Sequence, residues 1–179
     1  MPSEIIQWFP GHMAKTRRLI RENLKNVDLV IELLDARIPI SSRNPEIGAL
    51  TEGKPLLTLL NKSSLADPAA TRRFVTYYTE KGHVALAFDC LEKKGTEKLM
   101  PAVRTLLSEK IERYEGKGMG GRHLRAMVVG IPNVGKSSLI NLLSGAKKAK
   151  VENRPGVTLI PQWISTGMGL DLMDMPGVL

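Results

Sequence analysis

Residues 124–145 read LRAMVVGIPNVGKSSLINLLSG: an apolar run, a loop bounded by glycines, and a helical pattern that stops at Gly145. The loop GIPNVGKS, 130–137, fits the G-x-x-x-x-G-K-S/T pattern at every position. Glycines let the backbone curl so that successive N–H groups converge on a phosphate, and the following helix N-terminus adds positive potential. Asn133, Val134, Gly135, Lys136, Ser137 and Ser138 are therefore candidate nucleotide-binding residues. Lys136 would reach the β- and γ-phosphates, which makes it a catalytic candidate too, and the Ser137 hydroxyl would take Mg2+. A chance glycine turn before a helix is the competing reading. It does not account for strand, loop, Lys-Ser and helix in the right order.

Two short elements downstream extend the pattern. RPGVT ends on Thr158, a candidate second Mg2+ ligand. DMPG at 174–177 places Asp174 at the end of an apolar run, where it would hold the metal through water, and puts the Gly177 N–H in reach of a γ-phosphate. Each alone makes an ordinary turn. Their order after the phosphate loop is what gives them weight.

The rest of the chain must supply the sheet. Apolar runs at 28–36, 54–62 and 83–88 precede the phosphate-loop strand at 124–130, and two more, 161–166 and 170–174, follow it around the turn Gly167-Met168-Gly169. Helical patterns lie at 12–28, 67–82, 97–111 and 136–144. Pro10-Gly11 is expected to break the chain before the first, and Asp67-Pro68 to cap the second. Strands alternating with helices imply a mostly parallel α/β sheet of six strands with helices on both faces. Four glycines within 113–123 read as a flexible connector between two halves.

Composition narrows the class. The lone Cys90 excludes an internal disulfide framework, and no apolar run approaches the ~20 residues of a membrane span. The formal charge is +8, and residues 101–155 hold eleven Lys/Arg against four Asp/Glu. That local excess favours a polyanionic partner such as nucleic acid, or is a solvated face with charges recruited for a nucleotide.

An apolar run that ends LLNKSS, 59–64, poses a puzzle. Asn-Lys-x-Asp after a strand is how GTP-binding proteins read guanine, but it normally follows the phosphate loop. Here it precedes that loop, and Ser64 stands where the Asp belongs.

The combination resembles the circularly permuted Ras-like GTPases, P-loop NTPases, and within them the ribosome biogenesis GTPase A (YlqF/RbgA) family. WFPGHMAK (8–15), DARIP (35–39), NKSS (61–64), GIPNVGKSSLIN (130–141), PGVT (155–158) and DMPG (174–177) carry the likeness. Cutting a Ras-like chain before its fourth strand and joining the old ends yields this order. The resemblance implies an N-terminal loop and helix, 1–27, and a permuted G domain, 28–179. The latter divides into a guanine-loop half (28–112), the connector (113–123) and a phosphate-loop half (124–179). In the family a helical RNA-binding domain follows, and its absence before Leu179 is expected to leave functions that need it outside this chain.

The resemblance also assigns roles. Asn61 and Lys62 frame the base, and Ser64 offers one neutral acceptor in place of a charged bidentate one, a loss of roughly 1–3 kcal/mol. Asp89-Cys90 occupies the base-support turn, where backbone N–H groups could serve. The residue after the DxPG glycine is Val178, which cannot orient water, so the resemblance points to His12 as the catalytic group. It implies GTP/GDP and Mg2+ as cofactors, a cytoplasmic monomer, no membrane, and the large ribosomal subunit precursor with its rRNA as partner and stimulator. Two other readings stay open: a nucleotide-gated RNA- or ribosome-binding module with negligible hydrolysis, favoured by Val178 and Ser64, and a small P-loop ATPase or kinase.

Overall fold

Side chains along the first strand alternate between two cores. In the computed structural model, which describes residues 10–145 and 161–175, β1 (Leu29–Asp35) sends Leu29, Ile31 and Leu33 into one apolar cluster and Val30 and Leu34 into two others on the opposite side. All seven of its residues are buried, as a strand covered on both faces requires. Glu32, the one charge within it, is 1 % exposed and is met by Arg43 Nε at 3.2 Å and by the Thr58 hydroxyl at 3.4 Å. Burial raises its pKa, against the opposing pull of Arg43.

Around β1 the order is α1 (Pro10–Leu24), β1, α2 (Ile47–Leu50), β2 (Leu56–Asn61), α3 (Pro68–Glu80), β3 (Val84–Ala87), α4 (Thr96–Leu106), α5 (Ser108–Gly116), β4 (Leu124–Gly130), α6 (Lys136–Ser144), β5 (Gln162–Ser165) and β6 (Leu170–Asp174). The six strands form one sheet in the order β3-β2-β1-β4-β6-β5. Every pairing is parallel except β5 with β6, which form a hairpin. Leu99 and Val103 of α4 and Leu139, Ile140 and Leu143 of α6 fill one face with Leu57, Leu59, Ala126 and Val128. Ile20 of α1, Ile47 and Leu50 of α2 and Tyr78 of α3 cover the other. Removing one such leucine, Leu33→Ala for instance, costs about 2–5 kcal/mol.

Several boundaries differ from the sequence expectation for local reasons. Pro10 opens α1 instead of breaking the chain before it, because a proline is tolerated in a first turn whose N–H groups have no helical partner. The helix expected over 97–111 is two helices that meet at Leu107, whose buried side chain (2 % exposed) locks the junction. Residues 113–116 of the glycine-rich stretch complete α5, and Tyr114 of this turn donates its hydroxyl to Asp28 at 3.0 Å. Asp28 also accepts from the Arg125 N–H at 2.8 Å and pairs with Lys110 at 2.6 Å, so one carboxylate ties α5, β4 and the start of β1 together. Asp67 caps α3 as expected, accepting from the Ala70 N–H at 2.6 Å. No described helix is long and apolar enough to cross a membrane.

Candidate nucleotide site

Parallel sheets gather their functional loops at the carboxyl ends of the strands, near the switch in strand order. Here β4 and β1 lie at the centre, flanked by β2 and β6. The loops after β2, β3, β4 and β6 therefore share one edge, although they come from distant parts of the chain.

Asn61, the last residue of β2, is the joint between three of them. Its Nδ2 donates to the Val134 carbonyl in the phosphate loop at 2.9 Å, and its Oδ1 accepts from the Cys90 N–H beyond β3 at 3.0 Å. The amide is 2 % exposed, so both its donor and its acceptor are committed. Gly135 is required beside it. Its φ of +106° suits glycine alone, and a Cβ there would stand 2.2 Å from Asn61 Nδ2. Gly130 is constrained on the other side, where a Cβ would meet Val134 Cγ1 at 2.8 Å and the Leu33 carbonyl at 3.2 Å.

Lys62 follows in the left-handed region, with φ +61°, as β2 gives way to the 3-10 turn Ser63–Leu65. Its Nζ donates to the carbonyl of Asn133 at 2.9 Å, and Asn133 is itself left-handed, with φ +64°. The contact thus joins two residues whose backbone strain costs of order 1–2 kcal/mol each. Asp35, at the end of β1, lies 3.4 Å from the same Nζ. The hydrogen bonds of the Arg37 guanidinium, at 2.9 and 2.7 Å, hold the Asp35 carboxyl at about 2 in spite of its burial. DARIP is therefore the brace behind Lys62. Its lettering marked the likeness, but nothing in it assigned Asp35 that task.

Lys136 opens α6, is 8 % exposed, and donates to Asp174 Oδ1 at 3.1 Å and to the Met175 carbonyl. Burial lowers its pKa, and Asp174 acts in the opposite sense. Ser137 and Ser138 follow in the first turn of α6, half-buried. The phosphate-loop lysine, the Ser137 hydroxyl and the Asp174 carboxylate are thus assembled from β4, α6 and β6. A carboxylate and a hydroxyl are hard oxygen donors of the kind Mg2+ accepts while keeping waters and phosphate oxygens as its other ligands.

The base-support turn holds the least foreseeable feature. Ser64 sits exposed in the 3-10 turn, and its N–H donates to Asp89 Oδ2 at 3.1 Å. Asp89 Oδ1 accepts from the N–H groups of Leu91 and Glu92, at 3.0 and 2.9 Å. A carboxylate does stand at the guanine loop, but it comes from the end of β3. The anticipated role for a backbone N–H in this turn falls to Cys90, whose thiol burial pushes up to about 12.

Three expected site residues lie elsewhere. Thr158 and Gly177 are outside the described residues, as is Val178. His12 is the third residue of α1, not part of a loop before it, and its side chain is outside what the structure describes.

A family model described as "50S ribosome-binding GTPase" matches residues 125–179. The chain is 53 % identical over 175 residues to ribosome biogenesis GTPase A of Priestia megaterium, an alignment covering 97 % of this chain and 61 % of that protein. It is 48 % identical to the protein of that name from Bacillus cereus, covering 98 % and 59 %. GNP-bound YlqF from T. maritima superposes with a TM-score of 0.61 at 29 % identity, over 92 % of this chain and 58 % of that one. The chain thus spans about three fifths of the length of the curated relatives it matches. With the Asn-Lys loop ahead of the phosphate loop and the sheet order intact, the chain belongs, over the residues it spans, to the ribosome biogenesis GTPase A family of circularly permuted Ras-like GTPases.

Proposed function

We propose that the chain binds GTP and GDP with Mg2+ and hydrolyses GTP during assembly of the large ribosomal subunit, in the cytoplasm, with the subunit precursor and its rRNA as stimulator. The observation that carries the nucleotide reading is Asn61, which bonds the guanine-type loop to both the phosphate loop and the turn after β3. The names of the relatives, and the basic excess at 101–155, support the ribosomal partner.

In this reading the N–H groups of 133–138 and Lys136 bind the phosphates, and Asn61 and Lys62 frame the base. Ser137 and Asp174 hold Mg2+, with Thr158 as a further ligand. The metal would neutralise charge on the β- and γ-phosphate oxygens. Lys136 exchanges Asp174 for phosphate as the nucleotide enters, and the Gly177 N–H meets the γ-phosphate. Val178 offers no hydrogen bond to an attacking water, so His12, near the start of α1, is assigned that task on docking of the partner.

Single-turnover GTP cleavage with saturating large subunits tests this. His12→Ala should leave nucleotide affinity unchanged and lower stimulated hydrolysis by roughly 10²-fold or more. Val178 favours a second reading, a nucleotide-gated ribosome-binding module. Equal, negligible cleavage with and without subunits would select it.

A further inference from the structure

The search for what replaces the missing guanine-reading carboxylate ends at Asp89. This residue is 4 % exposed, and its carboxylate bonds the Ser64 N–H as well as two N–H groups of its own turn. The hydroxyl of Ser64 also bonds this carboxylate; burial works against the Asp89 charge, and the Glu92 and Ser64 N–H groups, the Ser64 hydroxyl and the Leu91 N–H outweigh it. An ionised carboxylate only accepts hydrogen bonds. Ser64 must therefore be the donor in that contact. Its one hydroxyl proton is spent on Asp89, and the lone pairs left on Oγ can only accept.

That polarity decides between purines. The Watson–Crick edge of guanine presents donors, the N1–H and the 2-amino group, where adenine presents an acceptor at N1. A free serine hydroxyl could turn to serve either base. One pinned by a carboxylate serves guanine alone, and it is polarised by the charge behind it.

We propose that Ser64 and Asp89 together replace the guanine-reading aspartate: Asp89 fixes Ser64 Oγ as an acceptor, and Ser64 contacts the base. Asp89 is thus a positioning residue for base selection. The inference rests on the reading that the chain binds guanine nucleotides, and it explains how a loop without its aspartate keeps its selectivity. It also reverses the simplest expectation for Ser64→Asp. That change alone would set a second carboxylate against Asp89, so the aspartate should succeed at 64 only when 89 is neutral.

The test is calorimetric titration of GDP and of ADP into the full chain with Mg2+, with thermal melts of each variant. The parent should prefer GDP. Asp89→Asn should reduce the GDP-to-ADP affinity ratio about tenfold, because the amide can donate to Oγ and release the hydroxyl proton. Ser64→Ala removes only an exposed hydroxyl and should reduce the ratio similarly, whatever Asp89→Asn does to stability. The double variant Ser64→Asp with Asp89→Ser should restore the ratio to the parent's or better, and exceed Ser64→Asp alone. GDP binding with a ratio unchanged by Ser64→Ala, or a double variant no better than Ser64→Asp alone, overturns this inference and leaves the nucleotide reading standing. A parent that binds no GDP overturns both.

Discussion

Lys136 and Asp174 form an ion pair of 3.1 Å in which both side chains are under a tenth exposed. One belongs to the phosphate loop and the other to the strand that follows it in the sheet, β6. Each is needed for a different part of a metal–nucleotide complex, so the pair must open when the complex forms. Their attraction holds β6 against α6 and supplies a defined arrangement for the nucleotide to displace.

Asp174→Asn should therefore act twice. It leaves a buried lysine without its counter-charge, although the amide oxygen and the Met175 carbonyl still accept. A loss of about 1–3 kcal/mol in denaturant unfolding is expected. GDP affinity, in contrast, should lose most of its dependence on Mg2+, which titrations with and without the metal would read.

Gly135→Ala should be far more harmful than an alanine at an unconstrained glycine. Gly53 has φ +83° with nothing within 4 Å of an added Cβ, and Gly135 has φ +106° with Asn61 Nδ2 at 2.2 Å. Gly53→Ala thus measures backbone strain alone, about 1 kcal/mol. Gly135→Ala adds the displacement of Asn61 and the loss of its two buried hydrogen bonds, a further ~2–4 kcal/mol. Equal unfolding midpoints for the two variants would mean that Asn61 yields freely and does not tie the loops.

The Asp35 brace gives a pH signature. Its carboxyl is held at about 2 by Arg37, below its model value of 3.8. A depressed carboxylate stabilises the fold above its unfolded pKa, and that contribution disappears as the pH falls through the folded value. Asp35→Asn should thus cost about 1–2 kcal/mol at neutral pH, with Arg37 half exposed and partly screened. The gap between parent and variant should close between pH 4 and about pH 2. Stability curves that stay parallel down to pH 2 would rule out the ionised brace.

How far the sequence discloses this arrangement varies by element. β4, α6 and β6 are found where the sequence places them, because glycine bounds the loop, glycine caps the helix and the strands are continuous apolar runs. The six strands and their order follow from the same patterns once the permutation is accepted. The break at Leu107 is not legible, since both helices share one amphipathic rhythm. Nor are the partnerships of Asp35 with Lys62, Glu32 with Arg43, and Asp89 with Ser64. Each brings together side chains from different loops, and residue spacing carries no information about which loop ends adjoin until the strand order is fixed. The Ser64 substitution reads as a loss in one dimension and as a transfer to Asp89 in three.

Equilibrium titration of a fluorescent GTP analogue with Mg2+, in the parent and in Lys136→Ala, bears most directly on the claim that these loops form a nucleotide site. The lysine's charge-assisted bonds to the phosphates are expected to contribute about 3 kcal/mol, so the variant should bind about 100-fold more weakly or not at all while still melting cooperatively. A folded Lys136→Ala variant that binds the analogue as tightly as the parent would contradict the account.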